Sequence, residues 1–193
     1  MTFFDQNPAS FKDANLINGE VETIPFLNSV EVLVKLLDSL GSAFSPVRSD
    51  IQGNVTKLKT RYDQFPDKSK TLQSIVISEK PEKKRIATEA LLWLKRGLEF
   101  TCLALKLNLE NGSEELQTSF TKAYEQKLSK HHSFLIRPIF SVAMKACPYR
   151  KDFYANLSHG EDQKLNEQLK SWVAGLDEKL KVIVDFYQKE NIQ

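Results

Sequence analysis

Asp50, Asn54 and Lys57 occupy positions i, i+4 and i+7 of the run Asp50-Ile51-Gln52-Gly53-Asn54-Val55-Thr56-Lys57. On a helix these positions fall within about 60° of one another, so a carboxylate, an amide and an ammonium share one face. The first accepts hydrogen bonds, the last donates them, and the amide does both. Ile51, Val55, Leu58 and Tyr62 form an apolar stripe about 100° around the same helix. A polar trio beside a buried stripe can read a polyhydroxylated ligand. It lacks the paired acids that proton-transfer catalysis needs.

Other catalytic chemistry is poorly provided for. The three histidines are His131, His132 and His159, and no HExxH, CxxC, GxSxG or glycine-rich phosphate loop occurs. His131 and His132, as neighbours, diverge by about 100° on a helix and cannot converge on a metal. His132 is a candidate for a single hydrogen-bonding group in a pocket. Cys102 and Cys147 are widely separated and read as free thiols. The expectation is a protein that is not an enzyme, with no cofactor and no metal.

The elements that must position the trio are helices. The chain has 193 residues, enough for one domain with its own core, 41% apolar and 27% charged residues, and a formal charge of +2. That balance argues against a dedicated nucleic-acid binder. No apolar run approaches the length of a membrane span, and the polar stretch 1–20 has no apolar signal core, so the chain reads as cytosolic.

Thr23 and Pro25 open a helix to Leu40, ended by Gly41, and Ser45-Pro46 opens a second, carrying the trio to about Gln64. Shorter and longer helices are predicted over 70–78 and 82–109, the latter ended by Asn111-Gly112. Ser113-Glu114-Glu115 should cap a helix to about His131. Helices are also predicted over 134–146, where Pro138 marks a first turn or a kink, over 149–157, and over 162–187. The prediction is one all-α domain of about eight helices spanning 1–193, with its core at about 24–187 and residues 1–20 as an N-terminal extension.

The trio is followed by Ala90-Leu91-Leu92-Trp93-Leu94-Lys95-Arg96-Gly97-Leu98, then by His131-His132-Ser133-Phe134 and Ala146-Cys147-Pro148-Tyr149-Arg150-Lys151-Asp152-Phe153. In this order and spacing the chain resembles the glycolipid transfer protein family, over about residues 24–186, and its fungal-type branch best. The resemblance implies a two-layer all-helical sandwich that carries glycosphingolipids between membranes without changing them. It implies that Asp50, Asn54 and Lys57 bind the sugar headgroup, that Trp93 is the plate under the sugar ring, and that His132 binds the ceramide amide carbonyl. Leu36, Leu37, Phe44, Phe100, Leu128 and Phe140 would line the cavity for the ceramide chains.

Membrane contact is expected through Phe134, which stands where animal members carry a tryptophan, and through Val47. Glu89 replaces a leucine near the headgroup. The expected partners are thus a glycosphingolipid and, transiently, a membrane surface, for a peripheral cytoplasmic monomer. A ceramide-1-phosphate carrier, a sphingolipid sensor and a helical protein-interaction module are the competing readings. The indole and asparagine suit sugar better than phosphate, which calls for several converging cations.

Overall fold

Prolines and turn residues set the helix boundaries close to where the sequence places them. The computed structural model describes residues 1–192, and nine α-helices lie among them. A single turn, α1 (Phe3–Gln6), precedes a two-residue antiparallel hairpin, β1 (Leu16–Ile17) and β2 (Glu20–Val21). Then come α2 (Thr23–Asp38), α3 (Ser45–Gln64), α4 (Leu72–Glu79) and α5 (Ile86–Glu110). The chain continues through α6 (Leu116–Lys127), α7 (Arg137–Lys145), α8 (Arg150–Ser158) and α9 (Asp162–Lys189). Pro46 and Pro138 both sit in first turns, where the missing N–H costs nothing. Between α2 and α3, Gly41 takes a φ of 93°, which glycine adopts without strain.

Two helix starts differ in detail from the sequence expectation. Glu22, not Thr23, is the residue that precedes α2, and the Thr23 hydroxyl is buried with no hydrogen-bond partner among the described residues. Glu115 precedes α6 without a side-chain cap, while Glu114 turns back to bond Ser119 and Lys122.

Helix α5 is the hub of the architecture. It packs against α3 and α4, against α6, and against α9, while α2 covers α3 and α8 covers α9. This is the two-layer helical sandwich. The N-terminal segment belongs to its core. Phe4, Phe11 and Ala14 are fully or nearly buried, and Phe4 and Phe11 pack on Trp172 of α9, whose indole N–H donates to Ala9 O at 3.3 Å. Counting residues 1–20 as polar therefore underrates them: three apolar side chains spaced through a polar segment are enough to dock it.

One buried polar cluster fixes α3, α4, α5 and α9 together. The Glu79 carboxylate, 2% exposed, accepts from Ala87 N at 3.1 Å, Thr88 N at 2.7 Å and Thr88 Oγ1 at 2.8 Å. It thereby satisfies N–H groups that the first turn of α5 leaves open. Arg61 of α3 lies 4.0 Å from Glu79 and bonds Glu82 at 2.7 Å and Ser78 at 3.2 Å. Tyr187 of α9 donates to Thr88 O at 3.2 Å.

Glu79→Ala leaves both backbone donors and the Thr88 hydroxyl without their acceptor and removes the carboxylate 4.0 Å from Arg61, which keeps its pair with Glu82. We expect a loss of about 3 kcal/mol of stability in urea denaturation; a loss within the scatter of surface substitutions would show that water replaces the carboxylate.

Candidate functional site

Helix α3 presents Asp50 and Lys57 outward and buries Asn54 between them, while Val47, Ile51, Val55 and Leu58 face the core, each 3% exposed or less. Tyr62, expected to extend that stripe, is half-buried, and the buried side chain at this level is Arg61. Asn54 is 4% exposed, and its Nδ2 donates to Asp50 O at 3.0 Å. This bond orients the amide and leaves its carbonyl oxygen for an incoming hydroxyl. Asp50 and Lys57 are exposed. The protein around the Asp50 carboxyl nevertheless strips enough water to push its pKa above 3.8, against the opposing pull of Lys57.

Trp93 stands half-buried on α5. Its ring stacks with the His132 imidazole, centroids 6.0 Å apart and planes 21° apart, and the Arg96 guanidinium lies 4.9 Å from the indole centroid. His132 follows the short 3-10 turn after α6. Its main-chain carbonyl, like that of Ser129, accepts from Arg137 Nε at 3.1 Å, which locks the turn. His132 Nδ1 lies 3.2 Å from the Tyr124 hydroxyl. Loss of water, and secondarily the Arg137 charge, push the imidazole pKa below 6.5, so the neutral form prevails at pH 7. A hydroxyl donating to Nδ1 puts the ring proton on Nε2, which makes Nε2 a donor for a carbonyl oxygen.

Aromatic contacts lead inward from this point. His132 meets Phe140 at 4.4 Å, Phe140 meets Tyr124 at 5.3 Å, and Tyr124 meets Phe100 at 6.1 Å. Phe100 then meets Phe120 at 5.8 Å, and Phe120 meets Phe44 at 5.5 Å. All six residues expected to line the chain cavity lie in the interior, with exposures of 1% for Leu36, 2% for Leu37, 0% for Phe44 and Phe100, 4% for Leu128 and 6% for Phe140. They belong to one continuous core cluster. Leu36 and Leu37 are both buried, although adjacent on α2.

The membrane-facing residues divide. Phe134 is 78% exposed and is followed by exposed Leu135, Ile136, Ile139 and Val142, apolar side chains of the segment leading into α7 and of α7 itself. Val47, at 3% exposure, does not belong to that surface. Its spacing of four and eight residues from Ile51 and Val55 puts it in the buried stripe of α3, and α7 packs on α3 and on the turn before it. Glu89 is exposed at the start of α5.

Tyr124 and Arg137 escape notice in the sequence. Tyr124 could have been found, because it sits four residues from both Phe120 and Leu128 on the apolar stripe of α6, where a buried phenol needs a partner. Arg137 carries no comparable signal, since its target is main chain.

Polar groups and an indole at the surface, backed by aromatic side chains leading into an apolar interior, define an all-helical lipid-binding protein. The chain belongs to the Glycolipid transfer protein (GLTP) family, whose profile matches residues 21–159. It is 49% identical over 187 residues to a glycolipid transfer protein of Aureobasidium melanogenum, covering 96% of this chain and 92% of that one. A glycolipid transfer protein of Danio rerio is 38% identical over 186 residues, 89% of each chain. The crystal structure of HET-C2, a fungal glycolipid transfer protein, superposes with a TM-score of 0.92 at 44% identity, covering 97% of both chains.

The raised pKa of Asp50 gives the site a stability signature. The folded protein holds the Asp50 proton more tightly than the unfolded chain does, so stability falls as pH rises through the window between 3.8 and the raised value. At pH 7 the ionised carboxylate is destabilising. Asp50→Asn should therefore melt above the wild type at pH 7, with the gap narrowing as the pH falls toward the usual carboxylate range. A variant that melts lower at pH 7 would show that the carboxylate is instead stabilised by its surroundings.

Proposed function

We propose that the protein is an intermembrane carrier that binds a glycosphingolipid and transfers it unchanged. The sugar hydroxyls are held by Asp50, Asn54 and Lys57, and the flat face of the ring lies on Trp93. His132 Nε2 donates to the amide carbonyl of the ceramide. The chains run inward past Phe140, Phe100, Phe44, Leu128, Leu36 and Leu37. The observation that carries this reading is the stacking of Trp93 and His132 at the head of the aromatic path, which brings a sugar plate and an amide donor to one mouth.

The energetics explain why a headgroup site alone would not suffice. Exposing a methylene to water costs about 0.8 kcal/mol, so one fourteen-carbon chain costs on the order of 11 kcal/mol. A carrier must enclose the chains in an apolar interior, and this one is close-packed in the structure. Lipid entry therefore requires the two helical layers to part and the interior side chains to move onto the incoming chains.

No helix of the described residues is long and apolar enough to cross a membrane. Docking falls to the apolar surface of Phe134, Leu135, Ile139 and Val142, a peripheral and transient contact at the cytoplasmic face. Phenylalanine at 134 supplies apolar area without the N–H that would anchor an indole among headgroups. The site residues bind and orient the lipid and leave its bonds unchanged. The protein acts as a monomer, which suits repeated docking and release.

Transfer of labelled galactosylceramide, ceramide-1-phosphate and phosphatidylcholine between vesicles tests this reading. We expect galactosylceramide to move fastest, and Trp93→Ala or His132→Ala to slow it roughly tenfold, equivalent to about 1.4 kcal/mol. Equal rates for galactosylceramide and phosphatidylcholine would rule the carrier out. For the docking surface, Phe134→Ala should lower vesicle binding and all transfer together, leaving the headgroup preference as it is. A changed preference would place Phe134 in the headgroup site instead.

A further inference from the structure

Helix α5 carries a polar side of its own. Gly97 faces Ile51 of α3 so closely that a β-carbon there would stand 3.6 Å from it. Leu92, Lys95, Arg96 and Glu99 centre about 150° around α5 from Gly97, away from α3 and its polar trio. On that side a cleft of about 570 Å³ opens between α5, the end of α6 with the turn after it, and the last turns of α9.

The lining is cationic. Lys95, Arg96, Lys127 and Lys130 meet one carboxylate, Glu99, so four cations against one anion leave a formal +3 in a chain whose total is +2. Lys95 pairs with Glu99 at 3.0 Å. Among the described residues the side chains of Arg96, Lys127 and Lys130 form no hydrogen bond or ion pair, and the Arg96 guanidinium lies over the Trp93 ring. Burial disfavours the Arg96 charge. The His131 imidazole is pushed below 6.5, first by burial and then by Arg96, Lys130 and Lys95, against the pull of Glu99. Three cations thus act on one side chain. Half-buried cations are ordinarily neutralised by carboxylates, and a concave wall that leaves them in surplus focuses a positive field on whatever enters.

The chemistry and the position of the cleft select its ligand. A guanidinium fork matches the oxygens of a phosphate, and the lysines add point charges. A surplus of this size suits a phosphate monoester, which carries about −1.5 to −2 at pH 7, better than a headgroup with an ammonium of its own. Lys130 and His131 lie on the 3-10 turn, and Phe134, 78% exposed, follows three residues after His131. Three residues of chain span at most about 11 Å. Phe134 in a bilayer therefore brings this end of the cleft to the headgroup layer, roughly 5–8 Å thick on each side.

We propose that the cleft binds the phosphomonoester headgroup of a membrane lipid, phosphatidic acid being the simplest, which stays in the bilayer while the cargo is taken up on the other side of α5. The inference rests on the membrane docking of the carrier reading and adds a lipid that is recognised without being carried.

The test measures binding to phosphatidylcholine vesicles, alone or with phosphatidic acid or phosphatidylserine at matched surface charge, for wild type, Lys127→Ala, Lys130→Ala and Lys151→Ala. Lys151 is exposed on α8 and supplies the same charge outside the cleft. We expect the wild type to bind the phosphatidic acid vesicles most tightly. Lys127→Ala and Lys130→Ala should each lose roughly fivefold of that binding, and Lys151→Ala should match the wild type. All three should transfer galactosylceramide between vesicles of phosphatidylcholine alone at the wild-type rate, which reports an intact fold and headgroup site; a loss there would put the lysines in the cargo site and overturn the inference. Equal binding to the two acidic lipids, or an equal loss from all three variants, would reduce the effect to bulk charge and also overturn it. Binding of free glycerol 3-phosphate without any preference for phosphatidic acid vesicles would overturn the lipid source. A wild type that prefers phosphatidic acid vesicles but transfers no galactosylceramide would remove the carrier reading and leave the phosphate site standing.

Discussion

The buried carboxylate of Glu79 is the constraint on which the geometry of this protein turns. It accepts two main-chain N–H groups and a hydroxyl at the start of α5 and stands beside the Arg61 guanidinium of α3. A helix terminus left open in the interior would carry unsatisfied donors and a positive field. Glu79 answers both needs and, because its neighbours come from different helices, sets how α3 and α5 approach each other. Trp93 lies five residues beyond Thr88, and Lys57 lies four before Arg61. Trp93 and Lys57 are each about one helical turn from that cluster, while Asn54 lies about two turns and Asp50 about three turns from it.

A second requirement acts in the opposite direction. A headgroup site of the kind proposed needs fixed donors and acceptors, since ligand hydrogen bonds gain most when nothing must be ordered to form them. The interior would need to yield to a lipid, because its buried apolar side chains form one continuous cluster. The structure assigns these demands to different interactions. Polar contacts of short reach, such as Asn54 to the Asp50 carbonyl and Arg137 to two carbonyls, hold the mouth. Non-directional contacts among leucines and phenylalanines hold the path behind it. Such contacts can be exchanged for contacts with acyl chains at little net cost, because both are apolar surface removed from water.

Much of this was legible in the sequence, and what escaped has physical reasons. Helical period, prolines and caps placed α2 to α9 within a few residues, because those signals are local. The trio was visible because one helix carries all of it. Trp93 and His132 could be joined to it only through the resemblance, since α5 meets α3, and His132 meets Trp93, in space and not in sequence. Val47 was expected at the membrane, although its spacing from Ile51 and Val55 puts it in the buried stripe of α3, where it is 3% exposed. The N-terminal segment was undervalued because mean polarity hides three well-spaced apolar side chains. Glu79 escaped altogether. A glutamate at the end of a short helix looks like any solvated carboxylate until the next helix is seen to begin against it.

The division of α3 into faces then accounts for the site's character. One face, from Val47 to Leu58, is committed to the core. Another runs from Asp50 to Gln64 and is polar throughout, but its members are treated unequally. Asn54 and Arg61 are buried, while Asp50, Lys57 and Gln64 are exposed. Burying a polar side chain without full satisfaction costs stability, and so does keeping a carboxylate where its charge is disfavoured, as at Asp50. A helix under selection for packing alone would fill these positions with residues that carry no such cost. On the proposed function that cost is recovered when a ligand rich in hydroxyls completes the missing hydrogen bonds, which would make the polar face of α3 a recognition surface whose affinity is stored in advance as incomplete bonding.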